Sequence, residues 1–193
     1  IQGIPYKNTK FKMLIEMLRK AIAQYSHTNK YKAEEFSKRM KKLVDKYNNR
    51  DGEILVSNDD VINDFIDSLS EEAQKILEDL KKDSDEFKKM GISFEEKAFY
   101  DILKAIRDKY GFEFPEEKII DLAKKVKVAV DDKAKYTDWA SKSNIKASLQ
   151  SDIIRILNRN GYPPVFLNGY PQNYQEVYEK VLAQVENYKK YDD

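Results

Sequence analysis

The stretch SFEEKAFYDILKAIRDKYG, residues 93–111, decides the fold class. Ser93 followed by Glu96 is the pattern of a capping box, in which each residue binds the other's backbone N–H at the start of a helix. After it, apolar residues recur every three or four positions, as they do on one face of a helix. Tyr110-Gly111 marks the end of this run. The stretch therefore predicts a capped amphipathic helix.

The same spacing recurs along most of the chain, which has only 6 Gly and 5 Pro among its 193 residues. We therefore predict an all-α fold, an irregular multi-helix bundle of roughly seven to eight helices. One helix is expected to start at Asn58 or Asp59 and a separate one within residues 68–72, followed by a polar connector over residues 81–91. The last helix is expected to be capped by Asn173, with Glu176 completing a second capping box.

We place a domain boundary in the polar stretch around residues 81–92. Residues 1–92 would form a helical hairpin with an acidic helical segment, and residues 93–193 a C-terminal helical domain. The N-terminal Ile1, in place of Met, suggests a fragment of a longer protein.

Composition excludes several classes of function. The chain has no Cys and one His, so thiolate zinc sites, Cys nucleophiles and His-based triads are not expected. Phosphate-binding glycine motifs are absent, and so are apolar runs long enough to span a bilayer. We expect no catalytic residues, no metal site and no membrane partner, and a cytoplasmic location.

The formal net charge of +1 conceals strong segregation. Residues 1–50 carry 13 basic and 4 acidic side chains, whereas residues 51–101 carry 6 basic and 16 acidic ones. Two interpretations remain open: the segments neutralise each other within the fold, or the basic one offers a surface to phosphate groups.

Basic residues cluster on two predicted helices. The candidate DNA-binding residues are Lys38, Arg39, Lys41, Lys42, Lys142, Lys146, Arg155 and Arg159. Lys142 with Lys146, and Arg155 with Arg159, are i, i+4 pairs, so each pair shares a helix face. The alternative is a solvated polar face.

Glu95-Glu96-Lys97 has the residue types of a metal-dependent nuclease motif. It falls in the first turn of a helix, where acidic side chains suit the helix dipole. The capping interpretation is therefore favoured over a nuclease.

Two segments, taken together, resemble one known family. The first is TNKYKAEEFSKRM, residues 28–40, continuing to Arg50. The second runs from AFYDIL, residues 98–103, through Asp138-Trp139 to ILNRNGYPP, residues 156–164. Their order and spacing resemble the C-terminal helical region of the R subunit of type I restriction enzymes.

The resemblance implies that this chain is a non-catalytic part of the R subunit. The nuclease and helicase motifs of the family, and with them ATP and magnesium, would lie N-terminal to this chain. The chain would dock the motor subunit onto the methyltransferase and specificity subunits, and could also hold double-stranded DNA. The candidate docking anchors are Trp139, Tyr162, Pro163 and Pro164, because aromatic side chains dominate interfaces. Core packing of Trp139 and helix termination at Tyr162-Pro163 remain the alternative, as does a generic helical adaptor.

Overall fold

The structure is a computed structural model that describes residues 4–50, 59–136, 138–164 and 170–187, without the side chains of residues 4, 5 and 170–174. The described residues form seven α-helices and one short 3₁₀ helix, and they contain no strand. The prediction of an all-α fold is confirmed. The α-helices are α1 (Ile4–Ser26), α2 (Lys30–Asn48), α3 (Asp59–Met90), α4 (Phe94–Tyr110), α5 (Glu116–Ala134), α6 (Ser143–Arg159) and α7 (Tyr170–Glu186), with the 3₁₀ turn at Trp139–Ser141.

The chain divides into two compact units. The first comprises residues 1–26 and 33–86, and the second comprises residues 27–32 and 87–193. The turn between α1 and α2 thus belongs to the second unit. The predicted division into separately organised domains at residue 92 stays a prediction.

The core of the first unit is built by one apolar face from each of α1, α2 and α3. Phe11 of α1 stacks on Tyr47 of α2 with ring centroids 4.4 Å apart, and the Tyr47 hydroxyl donates to Asn8 at 2.7 Å. The other buried apolar residues are Ile15, Leu18, Ile22, Tyr25, Ala33, Phe36, Leu43, Ile66, Leu69, Ala73, Ile76 and Leu80.

Helix α3 is continuous, so the predicted second start within residues 68–72 and the predicted connector over 81–91 were wrong. Its buried positions continue at three- and four-residue spacing from Ile66 to Leu80, straight through the supposed break. The Ser70 hydroxyl donates to the Ile66 carbonyl at 2.9 Å, a bond that serine makes in the middle of a helix. The helix ends at Gly91, whose φ is +66°.

The start and end predicted for α4 are confirmed. The Ser93 side chain accepts from the Glu96 N–H at 3.1 Å, and the Glu96 carboxylate accepts from the Ser93 N–H at 2.8 Å. Gly111 follows in the left-handed conformation with φ of 66°. This helix is the centre of the second unit because its buried residues face α5 and α7 and the aromatic residues beyond α6.

The last helix starts earlier than expected. Because α7 begins at Tyr170, Asn173 lies inside the helix and the predicted capping box was wrong. The Glu176 carboxylate instead accepts hydrogen bonds from Lys109 at 2.9 Å and from the Tyr110 hydroxyl at 2.7 Å. Glu176 thus joins α7 to the end of α4 and does not cap its own helix.

Candidate functional site

The basic residues of α2 lie on its solvent-facing side. All four are exposed: Lys38, Lys41 and Lys42 lie opposite the buried face of the helix, and Arg39 lies at its edge. The Arg39 guanidinium donates to the Asp79 carboxylate of α3 at 2.6 Å. Lys38, Lys41 and Lys42 make no ion pair within the described residues, so their three charges remain available to an anionic partner.

Part of the charge segregation is neutralised inside the first unit. Besides Arg39 with Asp79, Lys46 of α2 pairs with Glu72 of α3 at 3.2 Å, and Lys7 of α1 pairs with Asp67. All three pairs join the basic segment to the acidic one. The basic and acidic segments thus neutralise each other at these three pairs. The outer lysines of α2, which are Lys38, Lys41 and Lys42, take no part in them.

The basic residues of α6 do not form one surface. Lys146 and Arg155 are nine positions apart, which places them about 180° apart around the helix. Lys146 is half-buried and pairs with Glu186 of α7 at 2.8 Å, while Arg155 pairs with Asp152 at 3.0 Å. Lys142 precedes the first turn, and Arg159 is exposed in the last turn.

Three of the four candidate docking anchors are buried in the second unit. Trp139 is 2% exposed and Tyr162 is fully buried, with Pro163 buried beside it and Pro164 half-buried. Trp139 packs in the core of the second unit, as the alternative interpretation had it. The docking role of these residues stays a prediction, and of the four Pro164 has the most accessible surface.

Tyr162 connects the end of α6 to the middle of α4. Its hydroxyl donates to the Leu103 carbonyl at 2.6 Å, and its ring meets Phe112 and Phe114 edge-on at 5.3 and 5.1 Å. Burial raises the pKa of this hydroxyl well above its usual value of 10.0, because the ionised form would be desolvated. The side chain therefore acts as a neutral hydrogen-bond donor.

A buried polar network holds the turn between α1 and α2. Asn29 caps α2 by accepting from the Lys32 N–H at 3.0 Å, and its amide donates to Asp101 of α4 at 2.7 Å. Asp101 forms an ion pair with Lys97 at 2.7 Å, and both side chains are 3% exposed.

Gln184 of α7 fixes the same turn from another side. Its amide donates to the Thr28 carbonyl at 3.0 Å and accepts from the Lys30 N–H at 2.7 Å. It is 1% exposed, so both amide ends are satisfied without water.

Both carboxylates of the Glu95-Glu96-Lys97 stretch make contacts within the fold. Glu96 completes the capping box, and Glu95 pairs with Lys127 at 3.1 Å. Burial disfavours the charged form of Lys127, but hydrogen bonds to Asp131 and Glu95 outweigh it and raise the pKa of this lysine above 10.5. Within the described ranges, no group of three or more His, Asp or Glu side chains could hold a metal ion.

A shallow pocket of about 590 Å³ opens beside α4 in the second unit. It is lined by Arg107, Asp108, Phe112, Glu113, Phe114 and Pro115. The Arg107 guanidinium already donates to the Phe114 carbonyl at 3.2 Å and to Glu116 at 3.0 Å. The pocket therefore presents two carboxylates and a neutralised arginine, which is a poor site for an anion.

Sequence reasoning missed the outer face of α1. Tyr6, Met13 and Met17 are 52%, 62% and 52% exposed, although the opposite face of the same helix is buried. Their spacing of seven and four residues could have revealed a second apolar stripe. In none of the helices within the described part of the chain is there a segment long and apolar enough to cross a membrane.

Comparison with known proteins gives consistent results. The sequence model of the family described as "Type I restriction enzyme HindI endonuclease subunit-like, C-terminal" matches residues 1–191. The chain is 24% identical over 166 residues to a putative type I restriction enzyme MjaIXP endonuclease subunit of Methanocaldococcus jannaschii. The match covers 83% of the chain but only 14% of that relative. No solved structure matches.

Proposed function

Because the chain belongs to the C-terminal family of HindI-like type I restriction enzyme endonuclease subunits, we propose that it is a non-catalytic assembly module. It docks the DNA-translocating motor subunit onto the methyltransferase–specificity core of a cytoplasmic restriction complex. The resemblance found in residues 28–50 and 98–164 is confirmed by this membership. ATP and magnesium would be bound by other parts of the subunit.

The buried network around Asp101 carries this proposal. Asn29 comes from the first segment of the resemblance and Asp101 from the second, and the two are joined by a 2.7 Å hydrogen bond. Tyr162, near the end of the second segment, donates to Leu103, two residues beyond Asp101. Residues of the two segments that resemble the family are thus engaged in the internal packing of the second unit, which suits a scaffold better than a reaction centre.

Native mass spectrometry of the chain mixed with its methyltransferase–specificity core, with and without a short DNA duplex, tests the proposal. A complex formed without DNA is the expected result. A complex that forms only with DNA would replace docking by DNA holding. No complex in either mixture would contradict the assembly role and leave a generic adaptor as the better description.

A second candidate function is the holding of double-stranded DNA by α2. The observation that favours it is the group of exposed Lys38, Lys41 and Lys42, which make no ion pair within the described residues. Phosphate contacts from such lysines would be independent of sequence and sensitive to salt. The cations of α6 are weaker candidates because Lys146 and Arg155 are engaged with Glu186 and Asp152.

A further inference from the structure

Helix α1 has two faces that both carry apolar residues. The inner one is buried in the core of the first unit through Phe11, Ile15 and Leu18. The outer one, here called the outer stripe, comprises Tyr6, Lys10, Met13, Met17, Lys20 and Gln24, all of which are exposed. A surface helix of a monomeric domain normally has one apolar stripe and a polar opposite face.

The spacing of the outer stripe fits contact with another helix or a groove. After Tyr6 its positions alternate between steps of four and three residues, so they form one line along the helix. From Tyr6 to Gln24 this line is about 27 Å long. Helices that dock into grooves use anchors with this repeat, and methionine adapts well to a partner surface.

The charges beside the outer stripe indicate the chemistry of the partner. Lys10 and Lys20 lie on the stripe, before and after the two methionines, and neither makes an ion pair within the described residues. Glu16, the one acidic residue of α1, is already bound by Arg19 at 2.7 Å. An apolar groove with acidic residues on its rim would therefore complement this face in both shape and charge.

We propose that the outer stripe of α1 binds an acid-rimmed apolar groove on the methyltransferase–specificity core. This inference rests on the docking function proposed above and assigns that function to a surface. The methionines would be the buried anchors of the interface. The lysines would lie at its rim, where their aliphatic stems cover apolar area and their ammonium groups reach the partner's carboxylates.

The test is a titration of the full chain against the core, with native mass spectrometry for composition and calorimetry for affinity. The double substitution Met13→Glu and Met17→Glu should weaken binding by about 30-fold or more. Val61→Glu with Val128→Glu is the matched control, because both valines are exposed, at 48% and 69%, neither lies on α1, and the pair adds the same two negative charges. It should change the affinity by less than about twofold.

The lysines are tested separately. Lys10→Glu with Lys20→Glu should raise the Kd about tenfold at low salt, and the difference should shrink as salt is added. All variants should keep the circular dichroism of the wild type, since every altered side chain is exposed.

The outcomes separate this inference from the function on which it rests. If the wild type binds the core and the methionine variant binds equally well, docking stands and the outer stripe is not its surface. If the wild type does not bind, the docking function itself fails. If the wild type forms a homodimer that the methionine substitutions dissociate, the outer stripe binds a second copy of the chain and the assignment is overturned. If the substitutions lower the affinity for a DNA duplex and leave core binding unchanged, the outer stripe binds DNA and the assignment is likewise overturned.

Discussion

The side-chain amide of Asn29 donates a 2.7 Å hydrogen bond to the carboxylate of Asp101, which lies 72 positions further along the chain. Asp101 is also the ion-pair partner of Lys97, one helical turn earlier on α4. The carboxylate is thus the shared acceptor of a helix cap and a buried ammonium group. Its loss would leave two buried donors short of a partner.

We expect Asp101→Asn to destabilise the second unit by about 3–5 kcal/mol, because it removes the carboxylate that pairs with the buried ammonium group of Lys97. Asp121→Asn is the matched control: Asp121 pairs with Lys125 at 2.6 Å with the same i, i+4 spacing, but both side chains are exposed. That control should cost at most about 1 kcal/mol. Urea unfolding can be followed by the fluorescence of Trp139, the only tryptophan of the chain, which is buried in this unit.

The double variant Lys97→Met with Asp101→Asn shows whether the two residues act as a pair. The amide introduced at position 101 would still accept from Asn29, and no unpaired charge would remain. The double variant should therefore be no less stable than either single variant. Strictly additive losses would contradict a coupled buried pair.

Tyr162→Phe should lower the free energy of unfolding by about 1 kcal/mol at neutral pH, since it removes the hydrogen bond to the Leu103 carbonyl. The sign reverses at alkaline pH. Burial holds the pKa of Tyr162 in the folded chain above 10.0, so above about pH 10 the unfolded chain ionises first and the wild type loses up to about 1.4 kcal/mol per pH unit.

The phenylalanine variant lacks this loss, so its deficit should disappear between about pH 10 and pH 11. Unfolding curves of both proteins from pH 7 to pH 11, again read from Trp139, measure the difference. A constant deficit across this range would mean that the hydroxyl titrates normally.

Ser93→Ala should destabilise the second unit by about 1 kcal/mol, because the Glu96 N–H loses its acceptor at the start of α4. Ser151→Ala, at an exposed position inside α6, should be nearly neutral. Thermal melting of the two variants beside the wild type checks this. Equal melting temperatures for Ser93→Ala and the wild type would show that the cap contributes nothing.

The sequence predicts α4 well because its determinants are local. Ser93, Glu96 and Gly111 act within one turn of the helix ends. At Glu176 the same pattern failed, because α7 begins three residues before Asn173, and the carboxylate binds Lys109 and Tyr110, 67 and 66 positions away.

At the candidate site, too, the sequence predicts what depends on local spacing and does not predict what depends on tertiary packing. The exposure of Lys38, Lys41 and Lys42 follows from helical periodicity, since they lie opposite the apolar face of α2. The engagement of Arg39 by Asp79 does not, because it depends on how α2 packs against α3. Burial of Trp139 and Tyr162 likewise depends on tertiary packing, which is why the sequence left their core and docking interpretations open.

Charge reversal of the outer lysines of α2 tests whether this helix holds DNA. Lys38→Glu, Lys41→Glu and Lys42→Glu together should weaken binding of a short duplex, and the slope of log affinity against log salt should fall by up to about 3 if all three contact phosphates. Lys75→Glu, Lys82→Glu and Lys89→Glu on α3 form the matched control, because these exposed lysines give the same change in net charge. Fluorescence polarisation between about 50 and 200 mM salt gives both slopes. If both triple variants weaken binding equally, the effect comes from net charge alone and the DNA-holding candidate fails. If only the α2 variant alters the salt slope, the solvent-facing side of α2 contacts the phosphate backbone.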